Sequence, residues 1–345
     1  IDICPVGALT SRPYAFVSRP WELRKTDSID VQDATGTNIR VDNRGPEVLR
    51  IVPRINDDVN EEWMADRGRF SFDGLKRRRL DRPWVRVDGK LRPAGWPEAF
   101  RAIAARMRGV SANRIGAIAG DLVDAESVYA LKFLLAELGS ANMDCRGDGA
   151  ALDGSKRDFF LFNSTIAGID EADALLIIGS NPRVEAPVIN ARVRKRWSHG
   201  RFPIALIGPA GLDLTYPHEH LGEGPAAIRA LLYGSHPFME TLRTAQRPMI
   251  ILGRGAIQRP DGAGVLAAAW AVARAANALR EDWHGFNLMH HFGGQVGALE
   301  LGFVPAPGGL DAGAMIGGGV DALWLLGADS FDAAAIPPET FVVYQ

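Results

Sequence analysis

Two rhythms of apolar and polar positions run along the chain, and they change near Pro83. Before it, short stretches at 28–31, 37–41 and 47–52 are cut by Gly36, Gly45-Pro46 and Pro53, which predicts short strands joined by turns. Residues 61–82 are rich in charged and turn-forming types. After Pro83, apolar runs of about five residues alternate with stretches of helical spacing. Runs at 115–119, 174–178, 202–207, 248–252 and 322–326 read as strands. Stretches at 96–107, 125–138 (with Gly139 just past the end), 187–197 and the Ala-rich 264–279 read as helices. Strands apolar throughout are buried on both faces, which is the habit of parallel sheets covered by helices. The pattern predicts an α/β chain: a small strand-rich module at 26–82, then a doubly wound, mostly parallel α/β body from residue 83 onward.

Composition narrows the class. The 345 residues are 47% apolar and 23% charged, with a net charge of −2. That suits about two globular domains with a sizeable core and excludes disordered and collagen-like chains. Two cysteines exclude a disulfide scaffold. The near-neutral charge argues against a nucleic-acid-coating protein. The longest clearly apolar run, 265–273, falls far short of the roughly 20 residues of a spanning helix. With no visible signal peptide, any membrane role is expected to be peripheral. Arg outnumbers Lys by 33 to 6, which fits a GC-rich, bacterial gene. The chain opens I-D-I-C without Met and closes in the strand-like F-V-V-Y-Q, as expected of a fragment missing sequence at both ends.

Few residues offer chemistry. Cys followed by Pro, as at Cys4-Pro5, closes the ligand run of ferredoxin-type clusters: the thiolate is a soft donor to iron and Pro turns the chain away. A cubane cluster takes four ligands, so taken alone Cys4 is either one of a set or an isolated thiol. Cys145, in M-D-C-R-G-D after a short strand, reads as a small buried residue at a strand end, with no His partner that the sequence can place beside it. Gly253-Arg254-Gly255 follows a strand as a dinucleotide site would, but Gln258 stands where the third glycine is needed and no P-loop lysine follows. Gly317-Gly318-Gly319 precedes a strand and reads as a flexible loop. His218-Glu219-His220 and His290-His291 lack the H-E-x-x-H spacing of a helical metal site and read as loop or surface histidines. The basic clusters Lys76-Arg77-Arg78-Arg79 and 192–196 read as solvated faces or subunit contacts.

Read together, three stretches carry a resemblance: I-D-I-C-P-V-G-A-L-T-S-R-P-Y-A-F at 1–16, R-P-W-E-L-R-K-T-D-S-I-D-V-Q-D-A at 19–34, and N-E-E-W-M-A-D-R-G-R-F-S-F-D-G-L-K-R-R-R-L at 60–80. They closely resemble the large iron–sulphur subunit (the G-type subunit) of NADH–quinone oxidoreductase, respiratory complex I. The likeness continues through G-S-N-P-R-V-E-A-P-V-I-N-A-R-V-R-K-R at 179–196 and V-G-A-L-E-L-G-F-V-P at 296–305. It implies that 1–25 is the C-terminal end of a ferredoxin-like iron–sulphur region. Residues 26–82 would be a small module of the 4Fe-4S Mo/W bis-MGD type, and 83–345 a molybdopterin-oxidoreductase-like α/β domain, incomplete at the C-terminus. Cys4 matches the fourth ligand of a [4Fe–4S] cluster whose other three ligands lie upstream of residue 1, as do further clusters. Relatives of the small module often carry C-x2-C-x3-C and later C-x-K-G. In register, this chain has Ser28, Val31 and Thr35, then Ser71-Phe72-Asp73-Gly74. Val cannot ligate iron and neutral hydroxyls replace thiolates poorly, so that second cluster is expected to be absent.

The implied function is electron transfer: relay from NADH through iron–sulphur clusters towards quinone, coupled to proton translocation by the whole complex. The chain would act as a subunit of that enzyme and be inactive as an isolated fragment. No catalytic residue is assigned, and no molybdopterin, NAD or flavin is expected on this chain. The partners implied are the other peripheral-arm subunits, including the NADH/flavin-binding subunit, with no nucleic acid and with the membrane reached only through the complex. The location implied is the cytoplasmic face of the bacterial inner membrane, or the matrix face of the mitochondrial inner membrane in a eukaryote. The alternative is a catalytic molybdopterin-dependent oxidoreductase of the formate dehydrogenase or nitrate reductase type, which shares the fold. The missing cluster cysteines and the C-P-V-G-A opening weigh against it. A pure assembly scaffold is a third reading, separable from the first by clustered Cys and a His upstream.

Overall fold

The computed structural model describes every residue except Ala34, Arg78 and Ser235. In chain order the strands are β1 (Arg24–Ile29), β2 (Asn38–Arg44), β3 (Glu47–Pro53), β4 (Trp84–Val87), β5 (Lys90–Pro93), β6 (Ile115–Ala119), β7 (Asn142–Asp144), β8 (Ala174–Ile178), β9 (Ile204–Ile207), β10 (Glu219–Gly222), β11 (Pro248–Gly253), β12 (Phe286–Met289), β13 (Ala322–Leu326) and β14 (Phe341–Tyr344). Between them run helices α1 (Asp66–Phe70), α2 (Trp96–Met107), α3 (Ala125–Glu137), α4 (Pro182–Glu185), α5 (Pro187–Ser198), α6 (Gly224–Tyr233), α7 (Pro237–Thr244), α8 (Arg254–Ile257), α9 (Gly262–Ala275) and α10 (Gly294–Glu300), with short helical turns elsewhere. The chain forms two compact units, each built from two separate stretches. One holds Ile1–Phe72 and Ala150–Val296, the other Asp73–Gly149 and Gly297–Gln345.

The first unit contains two sheets. β1, β2 and β3 form an antiparallel sheet over a small core of Ile39, Ile51 and Phe72. β10-β9-β8-β11-β12 form a parallel sheet in that spatial order. The chain enters at β8 in the middle, winds out to β10, then returns to the other side of β8, which is the doubly wound pattern expected. Every residue of β8, β9, β11 and β12 is buried. Leu175, Ile177, Leu206, Met249 and Ile251 share a core with Ile189 and Val193 of α5. The alternate residues, Leu176, Ile178, Ile207, Ile250 and Leu252, point to the other face. There α6 packs on β9 and α9 on β11.

The tightest packing is at the carboxyl ends of β8 and β11. A Cβ on Gly253 would lie 2.6 Å from the Gly179 carbonyl oxygen and 2.4 Å from the Ser180 Cβ. Gly179 takes φ +62°, and a Cβ there would lie 2.4 Å from that of Ala256. The glycines after these strands therefore serve backbone-to-backbone packing between two turns.

The second unit holds a parallel sheet ordered β14-β13-β6-β7, so the α/β body contains two parallel sheets. Its core joins Ile118, Leu323 and Leu325 to Met315, Ile316 and Val320. β4 and β5 form a hairpin through Asp88 and Gly89, both at positive φ (49° and 76°), as a type I′ turn requires.

Three expectations need correction. The Ala-rich helix does not reach 279: it runs Gly262–Ala275, and Asn277 then takes φ 54°, a left-handed conformation that Asn tolerates and that turns the chain. Gly317-Gly318-Gly319 is no loose loop. The chain kinks at Gly318, which takes φ 96°, and the Arg114 guanidinium donates to the carbonyls of Gly319 (2.8 Å) and Gly318 (3.4 Å). β1 lies earlier than 28–31 because its charged residues pair with β2 while all six side chains stay exposed, leaving no apolar alternation to read.

Just past β12, the His290 ring is fully buried and its Nε2–H donates to the Phe160 carbonyl at 2.7 Å. Burial, with help from the nearby Arg254 charge, pushes its pKa down to about 4 from the ordinary 6.5. The unfolded chain therefore binds more protons between those two values. The contribution of the neutral ring to stability is complete above about pH 6.5 and is lost progressively as the pH falls to about 4.

Gly253→Ala is accordingly expected to destabilise the protein, by roughly 1–3 kcal/mol or more, because the new Cβ meets backbone. Gly264→Ala, with open space around it in α9, is expected to stabilise it by roughly 0.5–1 kcal/mol. Denaturant titration distinguishes them. In the same assay His290→Gln is expected to flatten the acid-side loss of stability between about pH 6.5 and 4, which in the parent is on the order of 3 kcal/mol.

Candidate functional site

Cys4 sits at the end of a tight turn, its N–H donating to the Ile1 carbonyl at 3.2 Å. Pro5 then directs the chain so that the following backbone curls around the sulphur. As a thiol, Sγ donates to the Val6 carbonyl at 2.9 Å. Backbone hydrogen bonds from Val6, Leu9 and Ala8 hold its pKa below the ordinary value, which favours the thiolate that binds metal. The side chain is partly exposed. Among the described residues, no group of three or more His, Cys, Asp or Glu could hold a metal ion. What this stretch offers a cluster is therefore one thiolate.

The lead that carries Cys4 has little regular structure, and side chains fasten it to the β1–β3 module. The Arg69 guanidinium of α1 forms two bonds to the Asp2 carboxylate, Nη1 to Oδ1 at 3.2 Å and Nη2 to Oδ2. Arg50 lies 4.4 Å from the centre of the Tyr14 ring, while its Nε donates to the fully buried Asp42 at 2.7 Å. Glu22 accepts from Ser18 at 2.6 Å and lies 3.8 Å from Arg44.

The positions that would carry the second cluster's ligands do not form a site. Ser28 lies on the exposed β1 and Val31 is exposed, whereas Thr35 is buried. Ser71 points back to the Gly68 carbonyl. The β1–β2 loop is organised by carboxylates: Asp33 accepts from the Thr35 N–H (2.6 Å) and the Thr37 hydroxyl (3.0 Å), and Asp30 accepts from the Gln32 N–H (3.0 Å). The other Asp30 oxygen packs where a Cβ on Gly68 would be, and burial raises its pKa, with Asp33 adding to the effect.

A second feature is a cavity of about 670 Å³ at the carboxyl ends of β8, β9 and β11, lined by Gly179, Ser180, Asn181, Glu185, Gly208 and Glu223 among others. It opens beside the point where the winding of the sheet reverses, the usual place for a ligand in such folds. The Glu185 carboxylate occupies the donors there, accepting from the Asn181 N–H at 2.8 Å and the Ser180 hydroxyl at 2.9 Å. His291 Nε2 lies 3.5 Å from it. Burial works against its charge, but the bonds from His291, Asn181 and Ser180 outweigh that and hold its pKa below the ordinary value. Arg259, on the same wall, is engaged by Asp261 at 2.7 and 3.0 Å. The molybdopterin that this fold type can hold brings phosphates. Two carboxylates and a committed arginine are the wrong lining for them.

The remaining candidates are accounted for by packing. Cys145 is fully buried directly after β7. His218 and His220 face different backbone carbonyls, those of Tyr216 (3.3 Å) and Gly208 (2.8 Å). The 192–196 cluster is not merely a solvated face. Arg192 is buried, bonded to Asp170 at 2.9 Å and to the Asp57 and Val59 carbonyls, and Arg196 donates to the Ala172 carbonyl at 2.8 Å. In the other basic cluster Arg77 and Arg79 are exposed, and Arg78 lies outside the described residues. Sequence reasoning missed Glu185 and the Arg69–Asp2 pair. The first had a signal, an acid four residues after Asn181 at the head of a helix. The second had none.

Residues 79–345 match the family model for molybdopterin oxidoreductase, and residues 23–73 match that for the NADH-ubiquinone oxidoreductase NDSU1/NuoG-like 4Fe-4S domain. The whole chain is 44% identical to the mitochondrial NADH dehydrogenase [ubiquinone] iron-sulfur protein 1 of Solanum tuberosum, covering 46% of that protein. It is 43% identical to the G subunit of NADH-quinone oxidoreductase from Rickettsia bellii, again over all of this chain and 49% of the relative. The chain thus spans about half the length of the curated relatives it matches. The solved structure of acetylene hydratase from Pelobacter acetylenicus aligns over 80% of this chain and 42% of its own, with a TM-score of 0.49 and 12% identity. With one model spanning its α/β body and the other its small module, the chain belongs to the molybdopterin oxidoreductase family and is of the kind that carries an NDSU1/NuoG-like 4Fe-4S domain.

Proposed function

We propose that this chain is part of an electron-transfer subunit of NADH–quinone oxidoreductase, and that it supplies the last ligand of one [4Fe–4S] cluster. The observation that carries the reading is the likeness, along the whole chain, to the iron–sulphur subunits of that enzyme. The Cys4 turn supports it, since a partly exposed thiol held toward its thiolate form by backbone is suited to iron. In this reading residues 1–25 end a ferredoxin-like region, 26–82 form a small module without its own cluster, and 83–345 form a pterin-type domain kept as scaffold.

The division of labour follows. A bound [4Fe–4S] cluster supplies one-electron relay. Cys4 holds one corner of it, and the three other thiolates come from sequence before residue 1. The backbone around Sγ stabilises the ligand's negative charge. NADH and flavin belong to a neighbouring subunit of the peripheral arm, and the chain meets the membrane only through the complex, on its cytoplasmic or matrix face. Family membership alone also suits a catalytic molybdopterin oxidoreductase. The Glu185 carboxylate in the cavity favours the reading without pterin.

The test is Cys4→Ala in the intact subunit within the assembled complex. Low-temperature electron paramagnetic resonance is expected to lose the signal of one cluster and keep the rest, and NADH-driven quinone reduction is expected to slow. Ser28→Ala and Ser71→Ala are expected to leave the iron content unchanged. Full iron content with every cluster signal intact in Cys4→Ala would return Cys4 to the status of a structural thiol.

A further inference from the structure

We infer that the β1–β3 module serves as the clamp for the Cys4 lead, and that the Arg69–Asp2 ion pair sets both the position of Cys4 and the local charge at the cluster it ligates. The inference rests on the reading of Cys4 as a cluster ligand.

The lead is held by local turns and by ties to the module. Between Ile1 and Leu23 its regular structure is a single helical turn, Pro20–Glu22. It is tied near its start, middle and end to three arginines of the module and its flanking helix: Asp2 to Arg69, Tyr14 to Arg50, and Glu22 to Arg44. The first tie lies within the turn that ends in Cys4, because the Cys4 N–H bonds to Ile1 across Asp2. Moving the Asp2 carboxylate therefore moves the ligand.

Arg69 is itself held firmly. It is 9% exposed, and its neighbour Gly68 is pressed onto the Asp30 carboxyl, where any side chain would collide. The guanidinium meets the carboxylate as a two-bond fork, which sets orientation as well as distance. A module whose own cluster ligands are replaced thus keeps a mechanical task, the placing of a ligand for the adjoining cluster.

The pair is also electrically balanced. Its two charges offset each other two residues before Cys4, and net charge nearby is one of the quantities that set the potential of a cluster bound there. Removing Arg69 leaves a lone carboxylate, which disfavours the added electron. Removing the Asp2 charge leaves a lone guanidinium, which favours it.

Redox titration of the intact subunit, followed by electron paramagnetic resonance, tests this. For the cluster that Cys4→Ala abolishes, Arg69→Ala is expected to lower the midpoint potential and Asp2→Asn to raise it. Each should change the reduced-to-oxidised ratio at fixed potential by roughly threefold or more. The double variant is expected near the parent, and Arg69→Lys between Arg69→Ala and the parent. A tie that serves folding alone would move both single variants the same way. Single variants that shift together, or that leave the midpoint unmoved while Cys4→Ala still removes the signal, would overturn the inference. If Cys4→Ala removes no signal, it is the reading of Cys4 that fails.

Discussion

Burial of the inner strands of the five-stranded parallel sheet on both faces is the constraint from which most of the first unit follows. A strand covered on both sides favours apolar residues throughout, so β8, β9 and β11 carry unbroken apolar runs, and the buried Asn287 of the edge strand β12 is admitted because it accepts from the Ser164 N–H at 2.9 Å and donates to the Gly285 carbonyl. Polar chemistry is thereby displaced to the strand ends. There the turns after β8 and β11 press together through Gly179 and Gly253, and the cavity opens beside them. The fold thus builds a ligand position as a consequence of its winding, whatever the ligand. In this chain Glu185 takes the N–H and hydroxyl donors that face that position. The same architecture that suits a dinucleotide-type cofactor in principle is, in this lining, unsuited to its phosphates.

The small module solves a different problem. Three short strands around Ile39, Ile51 and Phe72 make a modest core, and polar side chains supply the rest of its order. Asp33 organises the loop after β1. Asn60, almost fully buried, accepts from the Asn38 N–H at 3.0 Å and donates to the carbonyls of Arg54, Glu61 and Trp63. Asp42 gathers Arg40 and Arg50. Carboxylates and amides do here the ordering that an iron–sulphur cluster could do if its cysteines were present.

How much of this is legible in the sequence depends on which force shapes each element. Where burial shapes it, the pattern shows: the boundaries of β6, β8 and β13 coincide with their apolar patterns. Where backbone pairing shapes it without burial, the pattern is silent. β1 exposes every side chain, and the β4–β5 hairpin escaped sequence reading although Asp88-Gly89 is a strong turn signal between alternating residues. Where long-range charge pairing shapes it, no local pattern exists. Nothing near Arg192 foretells its bonds to the carbonyls of Asp57 and Val59, and nothing near Arg69 foretells Asp2. That Ser28, Val31, Thr35 and Ser71 stand where relatives of the module often carry cluster cysteines is an expectation drawn only from family resemblance.

The central claim is that this chain keeps the α/β body of the molybdopterin oxidoreductase family with a cavity lining unsuited to pterin phosphates, and that the redox work proposed for it rests on an iron–sulphur cluster to which Cys4 gives one ligand. Metal and pterin analysis of the purified intact subunit addresses it most directly. Inductively coupled plasma mass spectrometry together with fluorescence assay of oxidised pterin is expected to find iron in cluster stoichiometry, with molybdenum, tungsten and pterin at background. Molybdenum or tungsten with pterin at one equivalent per subunit would contradict the claim and favour a catalytic molybdopterin enzyme.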